Sequence, residues 1–133
     1  MSGENVEVVR GLARAFSDDG LDAVAEFWAP DIDWRAIPGA LDDVGEMHGR
    51  DAVRAYVQDW LDTFDDMTND PAEITELGAD RVVVEHHLSG RAKLSGAQTE
   101  LRYAVVYTIR HGKIVRGREY ATFDEALEAA REK

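Results

Sequence analysis

The sequence predicts one α+β domain built as a cone: a strongly curved, mostly antiparallel sheet with three N-terminal helices packed on its concave face. Three observations predict it. Apolar residues recur every three to four positions through the stripe that ends at Phe64. From Pro71 onward they recur every second position, the period of strands. The strands this implies are long, and long strands twist and coil. A coiled sheet with helices across its inner side leaves a hollow where a small ligand fits.

Each element follows in order. Val8, Val9, Leu12, Ala13 and Phe16 form one helical stripe over 4–17, and Asp18-Asp19-Gly20 ends it. A short second helix buries Leu21, Val24, Ala25 and either Phe27 or Trp28, and Pro30 stops it. Residues 31–37 alternate as a strand, Ile37-Pro38-Gly39 turns away, and 39–48 read as a loop. A third helix starts near Gly49 with Val53, Tyr56, Val57, Trp60, Leu61 and Phe64 on its stripe. Strands are expected at 72–77, 81–90, 98–110 and 113–121, with His111-Gly112 as a hairpin turn and a last helix over 124–131. No repeat, linker or low-complexity tract divides residues 1–133, so they are read as one domain.

Composition excludes several function classes. The chain has 133 residues, one domain's worth, and is 44% hydrophobic, an ordinary figure for a globular protein. Fifteen basic residues against 27 acidic ones give a net charge of −12, which repels nucleic-acid phosphates and anionic membranes. No apolar run suits a membrane span, and the N-terminus lacks signal-peptide features. With no cysteine in the chain, thiol catalysis is excluded and a cytoplasmic location is expected. The four histidines show no ligand spacing on a common face, so no metal is expected, and no phosphate-binding glycine loop or nucleophile elbow suggests another cofactor or a serine mechanism.

Alternation assigns the faces of the strands. Val82, Val84, His86 and Leu88 form the inward set, and Arg81, Val83, Glu85, His87 and Ser89 the wetter one. Leu101, Tyr103, Val105, Tyr107 and Ile109 also face inward, while Ala104, Val106 and Thr108 leave the outer face moderately apolar. In the last strand, charge count favours Val115, Gly117 and Glu119 inside. A strict two-residue turn at His111-Gly112 instead pairs Ile109 with Ile114 and puts Arg116 and Arg118 inside. A bulge or a longer turn removes the conflict, and Glu119 is expected inward.

The order of elements, with the phrases Phe27-Trp28-Ala29-Pro30-Asp31-Ile32-Asp33-Trp34, Met47-His48-Gly49-Arg50-Asp51-Ala52-Val53 and Gly112-Lys113-Ile114-Val115-Arg116-Gly117-Arg118-Glu119-Tyr120, resembles the nuclear transport factor 2-like superfamily, and within it the SnoaL-like branch. The resemblance covers nearly the whole chain. It implies the conical fold, an internal pocket and a homodimer formed through the outer face of the sheet. The superfamily hosts isomerases, dehydratases, epoxide hydrolases, polyketide cyclases and non-catalytic binding modules, so it implies no single activity.

Two candidate catalytic residues emerge, His86 and Glu119: a neutral buried imidazole and an inward carboxylate, paired for acid/base work. The alternatives are a core histidine bonded to a neighbour, and a glutamate in a salt bridge or on the surface. Trp34, Tyr56, Trp60, Val84, Tyr103 and Val105 are the candidate ligand-binding residues, with Trp34 and the tyrosines offering polar hydrogens. Measured against the ketosteroid isomerases of the superfamily, the three catalytic positions fall on Leu12, Ala36 and Val105, which supply none of the required groups. The limonene-type epoxide hydrolase arrangement is missing its acid at Arg102-Tyr103-Ala104. Two readings remain. One is an acid/base enzyme of isomerase, cyclase or dehydratase type acting on a small hydrophobic carbonyl or hydroxyl compound. The other is a non-catalytic ligand-binding or dimerisation module of the same fold.

Overall fold

Helix α1 (Glu4–Asp18) forms on the expected stripe and buries Val9, Leu12, Ala13 and Ala15. It ends where Asp19 and Gly20 both donate their N–H to the Ala15 carbonyl, and Gly20 takes φ +95°, a region costly to other residues. Residues 4–37 and 46–131 are described by the computed structural model. Helix α2 (Leu21–Ala25) is shorter than the sequence suggests, because Trp28 opens strand β1 (Trp28–Arg35) rather than closing the helix. The cause is tertiary: the Phe27 carbonyl accepts the Ile114 N–H at 2.8 Å, drawing the chain into the sheet three residues early. Pro30 lies inside β1, in the stretch between Trp28 and Asp33 where pairing to the neighbouring strand is irregular, so its missing N–H breaks no regular ladder.

Strand β2 (Glu46–His48) pairs antiparallel with Asp33–Arg35, where the sequence suggested only loop. Of that loop and its preceding turn, residues 38–45 lie outside the described residues. Helix α3 (Arg50–Thr63) follows, then β3 (Phe64–Leu77) without a connecting loop. Strand β3 starts eight residues before the expected 72. Its first half, Asp65-Asp66-Met67-Thr68-Asn69-Asp70-Pro71, is acidic and carries a proline. It is an edge strand with register breaks between Asp65 and Thr68 and between Pro71 and Glu73, which is where a sheet tolerates such residues. Ser17 ties it to α1 by accepting the Asn69 N–H at 2.9 Å.

Strands β4 (Arg81–Ala92), β5 (Gln98–Arg110) and β6 (Lys113–Tyr120) complete a six-stranded sheet in the order β2-β1-β6-β5-β4-β3. All neighbours are antiparallel except β1 and β6. His111 and Gly112 make the β5–β6 turn with φ +54° and +75°, the two positive values a two-residue hairpin uses. Ile109 pairs with Ile114, but Thr108 pairs with Arg116, so Val115 is an extra residue in β6. That bulge resolves the conflict over the last strand. Ile114 stays inside, and after Val115 the alternation resumes with Gly117 and Glu119 inside and Glu119 opposite Val105.

The main core lies between the helices and the inner face of the sheet, around Val9, Ile32, Val53, Val84, Ile109 and Ile114. A second, smaller core forms on the outer face. Helix α4 (Phe123–Arg131) lays Ala126 and Ala130 over Val83, Ala104 and Val106. The moderately apolar outer face that the sequence suggested for a dimer is thus buried in part by the chain's own last helix.

Candidate functional site

A cavity of about 280 Å³ opens between α1, α2, α3 and the inner face of the sheet. Most of its walls are apolar or aromatic: Leu12, Phe16, Val24, Trp28, Trp60 and Leu101 among them. The volume falls just below the range of roughly 300–1,000 Å³ typical of small-molecule pockets. Among the described residues that line it, Glu119 and Arg102 are the charged ones, and the strand register turns the Arg102 side chain toward the outer face beside His87.

Glu119 reaches the cavity because the β6 bulge turns it inward, and it is 8% exposed. Its carboxylate is held from two sides. The Trp34 indole N–H donates to Oε2 at 2.9 Å, and the Tyr56 hydroxyl, reaching down from α3, lies 3.1 Å from Oε1. Trp34 can take this position only because Gly117 pairs with it across the parallel β1–β6 ladder: a Cβ there would sit 2.2 Å from Trp34 Cε3 and Cζ3. The indole lies against bare backbone, and its edge meets the Tyr107 ring at a centroid distance of 5.9 Å.

A second polar unit stands beside the first. His86 is fully buried, with Nδ1 2.9 Å from Asn69 Oδ1 and Nε2 2.8 Å from the Tyr107 hydroxyl. With Asn69 Oδ1 as acceptor, the proton sits on Nδ1, and Nε2 accepts from Tyr107. Burial pulls the imidazole from its ordinary 6.5 to about 4, so the ring is neutral near pH 7. Tyr107 is pushed well above the usual phenol range, first by burial and then by the Glu119 charge. Tyr103 is pushed up as well, by burial, then by Glu119 and by the Tyr107 and Tyr56 phenols. Both phenols therefore stay protonated as hydrogen-bond donors.

The cavity brings together Trp34, Tyr56, Trp60, Tyr103 and Glu119 from the sequence-derived set. It leaves out three. Val84 and Val105 face inward but are fully buried in the core and do not line the cavity. His86 faces inward too, yet it is covered, and its nitrogens are taken by Asn69 and Tyr107 rather than by Glu119. No His86–Glu119 pair forms. The tyrosine stands where the sequence placed a histidine, and His86 orients it from behind. Sequence reasoning missed Asn69, which lines the cavity from the irregular half of β3. Only the polarity of Asn69 within a strand signalled it, and nothing marked the strand.

Replacing Tyr107 with phenylalanine removes the donor to a fully buried His86 Nε2. The expected loss of stability is about 1–3 kcal/mol, read from urea midpoints at constant m. A change in m without a midpoint shift would contradict this account.

Among the described residues no group of three or more His, Asp or Glu side chains is arranged to hold a metal ion. No helix among them is long and apolar enough to cross a membrane.

The fold and cavity define a pocket-bearing α+β domain. The chain belongs to the SnoaL-like domain family, whose model matches residues 9–117, within the nuclear transport factor 2-like superfamily. Among solved structures it is similar to a nuclear transport factor 2-like protein of unknown function from Burkholderia pseudomallei, at 27% identity and TM-score 0.76, covering 96% of this chain and 97% of that one. It is similar in fold to TerC co-crystallised with polyporic acid, at 24% identity, TM-score 0.76 and coverage of 95% and 99%. It also shares its fold with a Mycobacterium tuberculosis protein in complex with estradiol-17β-hemisuccinate, at 17% identity, TM-score 0.76 and coverage of 91% and 95%. No curated protein matches the chain in sequence.

Proposed function

We propose that this protein binds a small, largely apolar carbonyl compound in the cavity and moves a proton on it, with Glu119 as the base. The observation that carries the reading is one carboxylate among the described residues, oriented by Trp34 and Tyr56, at the wall of a mostly apolar and aromatic hollow. Glu119 takes a proton from the carbon beside the carbonyl, the electron pair moves onto the carbonyl oxygen, and the protonated Tyr103 donates a hydrogen bond to that oxygen. Return of the proton to another atom of the enolate completes an isomerisation with no cofactor. His86 does not touch the substrate. It holds Tyr107 and thereby the wall behind Trp34. The solved structures of similar fold that hold polyporic acid and estradiol-17β-hemisuccinate support a ligand-binding role for the hollow.

β-Tetralone serves as the probe, since its proton next to the carbonyl is acidic and its two rings suit the hollow. The protein is expected to speed deuterium incorporation at that carbon in heavy water, measured by NMR. Glu119→Gln should lower the rate by roughly 100-fold or more while leaving quenching of tryptophan fluorescence by the probe within a few-fold. Binding without any exchange would favour the non-catalytic binding module instead.

A further inference from the structure

We infer that the compound carries a second oxygen, an acceptor remote from the carbonyl beside Glu119, and that the Asn69 side-chain amide recognises it from the wall of the hollow. This rests on the proposed reading of the hollow as the ligand site and narrows the class of compound it takes.

The sheet register brings Asn69 to the hollow. Asn69 pairs with Leu88 and Leu88 pairs with Leu101, so the three share the inner face, and all of them line the cavity. The backbone is tied down from α1, where Ser17 accepts the Asn69 N–H at 2.9 Å and donates to its carbonyl at 3.4 Å.

Which end of the amide faces the hollow follows from the groups behind it. The Tyr107 hydroxyl has one hydrogen-bond partner among the described residues, His86 Nε2 at 2.8 Å. Were that nitrogen protonated, a phenol only 3% exposed would keep its proton with no described acceptor, which burial makes costly. Tyr107 therefore donates. The neutral ring then carries its proton on Nδ1, and the Asn69 atom that meets Nδ1 at 2.9 Å is the oxygen. The amide nitrogen is turned away from His86, and no described residue accepts from it. It is not sealed in the core either. Among the described residues the one fully buried side-chain nitrogen or oxygen that lacks a partner is Arg50 Nε.

The other donors around Glu119 are committed. Trp34 and Tyr56 give their hydrogens to the carboxylate, and Tyr107 gives its own to His86. Tyr103 serves the carbonyl oxygen in the proposed reaction. Asn69 adds a donor on β3, with β4 and β5 between it and the β6 strand that carries Glu119. The acceptor it meets therefore belongs to the far part of the compound, away from the reacting carbon.

β-Tetralone with a methoxy group on either outer carbon of its aromatic ring is compared with the ethyl compound of the same position, titrated by tryptophan fluorescence. Ethyl matches methoxy in size, lacks the acceptor and costs less to take from water, so without a donor to meet it binds at least as well. The native protein is expected to bind one methoxy isomer about three- to ten-fold more tightly than its ethyl counterpart. Asn69→Asp keeps an oxygen for His86 Nδ1 and removes the amide hydrogens. It should erase the preference while leaving the ethyl affinity within a few-fold. Asn69→Ser removes the amide without adding charge and should erase the preference as well. Equal or weaker binding of both methoxy isomers by the native protein overturns the inference, as does a preference that survives either substitution or an equal loss of both compounds. Exchange on unsubstituted β-tetralone, which has no second oxygen, reads the proton transfer by itself in each of those cases. Failure of every methoxy and ethyl compound to bind overturns the use of the hollow as a ligand site, and this inference with it.

Discussion

Gly117→Ala is expected to destabilise the protein by about 3 kcal/mol and to empty the cavity of its ligand affinity. The added methyl would sit 2.2 Å from two carbons of Trp34, far inside van der Waals contact, and those carbons belong to a buried ring rather than a flexible tip. Either the indole leaves or β6 moves away from β1. If the indole leaves, Glu119 loses the donor to Oε2 and Tyr107 loses its edge contact. If β6 moves, the ladder that aims Glu119 inward is broken. Both routes reach the same carboxylate. The assignment is checked with a double-mutant cycle, by urea unfolding. In a Trp34→Ala background the alanine at 117 has no ring to meet, so its cost should fall to well under half. An undiminished cost would place the strain in the β6 backbone and not in the indole.

The second large effect is a pH dependence centred on His86. Its folded value of about 4 lies below the ordinary 6.5, so between those limits the unfolded chain binds the proton and the native one does not. Stability from this group is therefore complete above about pH 6.5 and drains away as pH falls toward 4, reaching a loss of about 3 kcal/mol. The groups that face the imidazole, Asn69, Tyr103 and Tyr107, offer no carboxylate to hold an imidazolium. His86→Gln removes the titration. The stability gap between native protein and variant should shrink by about 2 kcal/mol from pH 7.5 to pH 5, because the carboxylates common to both cancel. A gap that stays constant over that interval would mean that the buried ring binds its proton as readily as the unfolded one.

Much of the sheet could be read from the chain, for a physical reason. Where one face of a strand is buried and the other wet, side-chain period alone sorts the residues, and His86 inside with His87 half-buried outside follows at once. Period says which face a residue takes and nothing about depth. That is why Val84 and Val105 point correctly and still lie outside the cavity. Trp28 was misplaced because the force that ends α2 is a hydrogen bond from Ile114, more than eighty residues away. The first half of β3 was invisible because an edge strand covered on one side by α1 needs neither apolar alternation nor freedom from proline, and Asn69 was lost with it. The contact of Trp34 with Gly117 depends on the one parallel pairing in the sheet, which joins the two ends of the chain and leaves no local trace.

The extra residue at Val115 has a consequence for how this hollow acquires its charge. Counted from the His111–Gly112 turn, a ladder without an intruding residue would present Arg116 and Arg118 to the interior and turn Glu119 to solvent. The bulged ladder presents one carboxylate in place of two guanidiniums. The polarity of the interior is thus a matter of parity, odd or even, in a strand of eight residues. A designer wishing to invert it has no need to exchange a single side chain: straightening the strand by one position is sufficient.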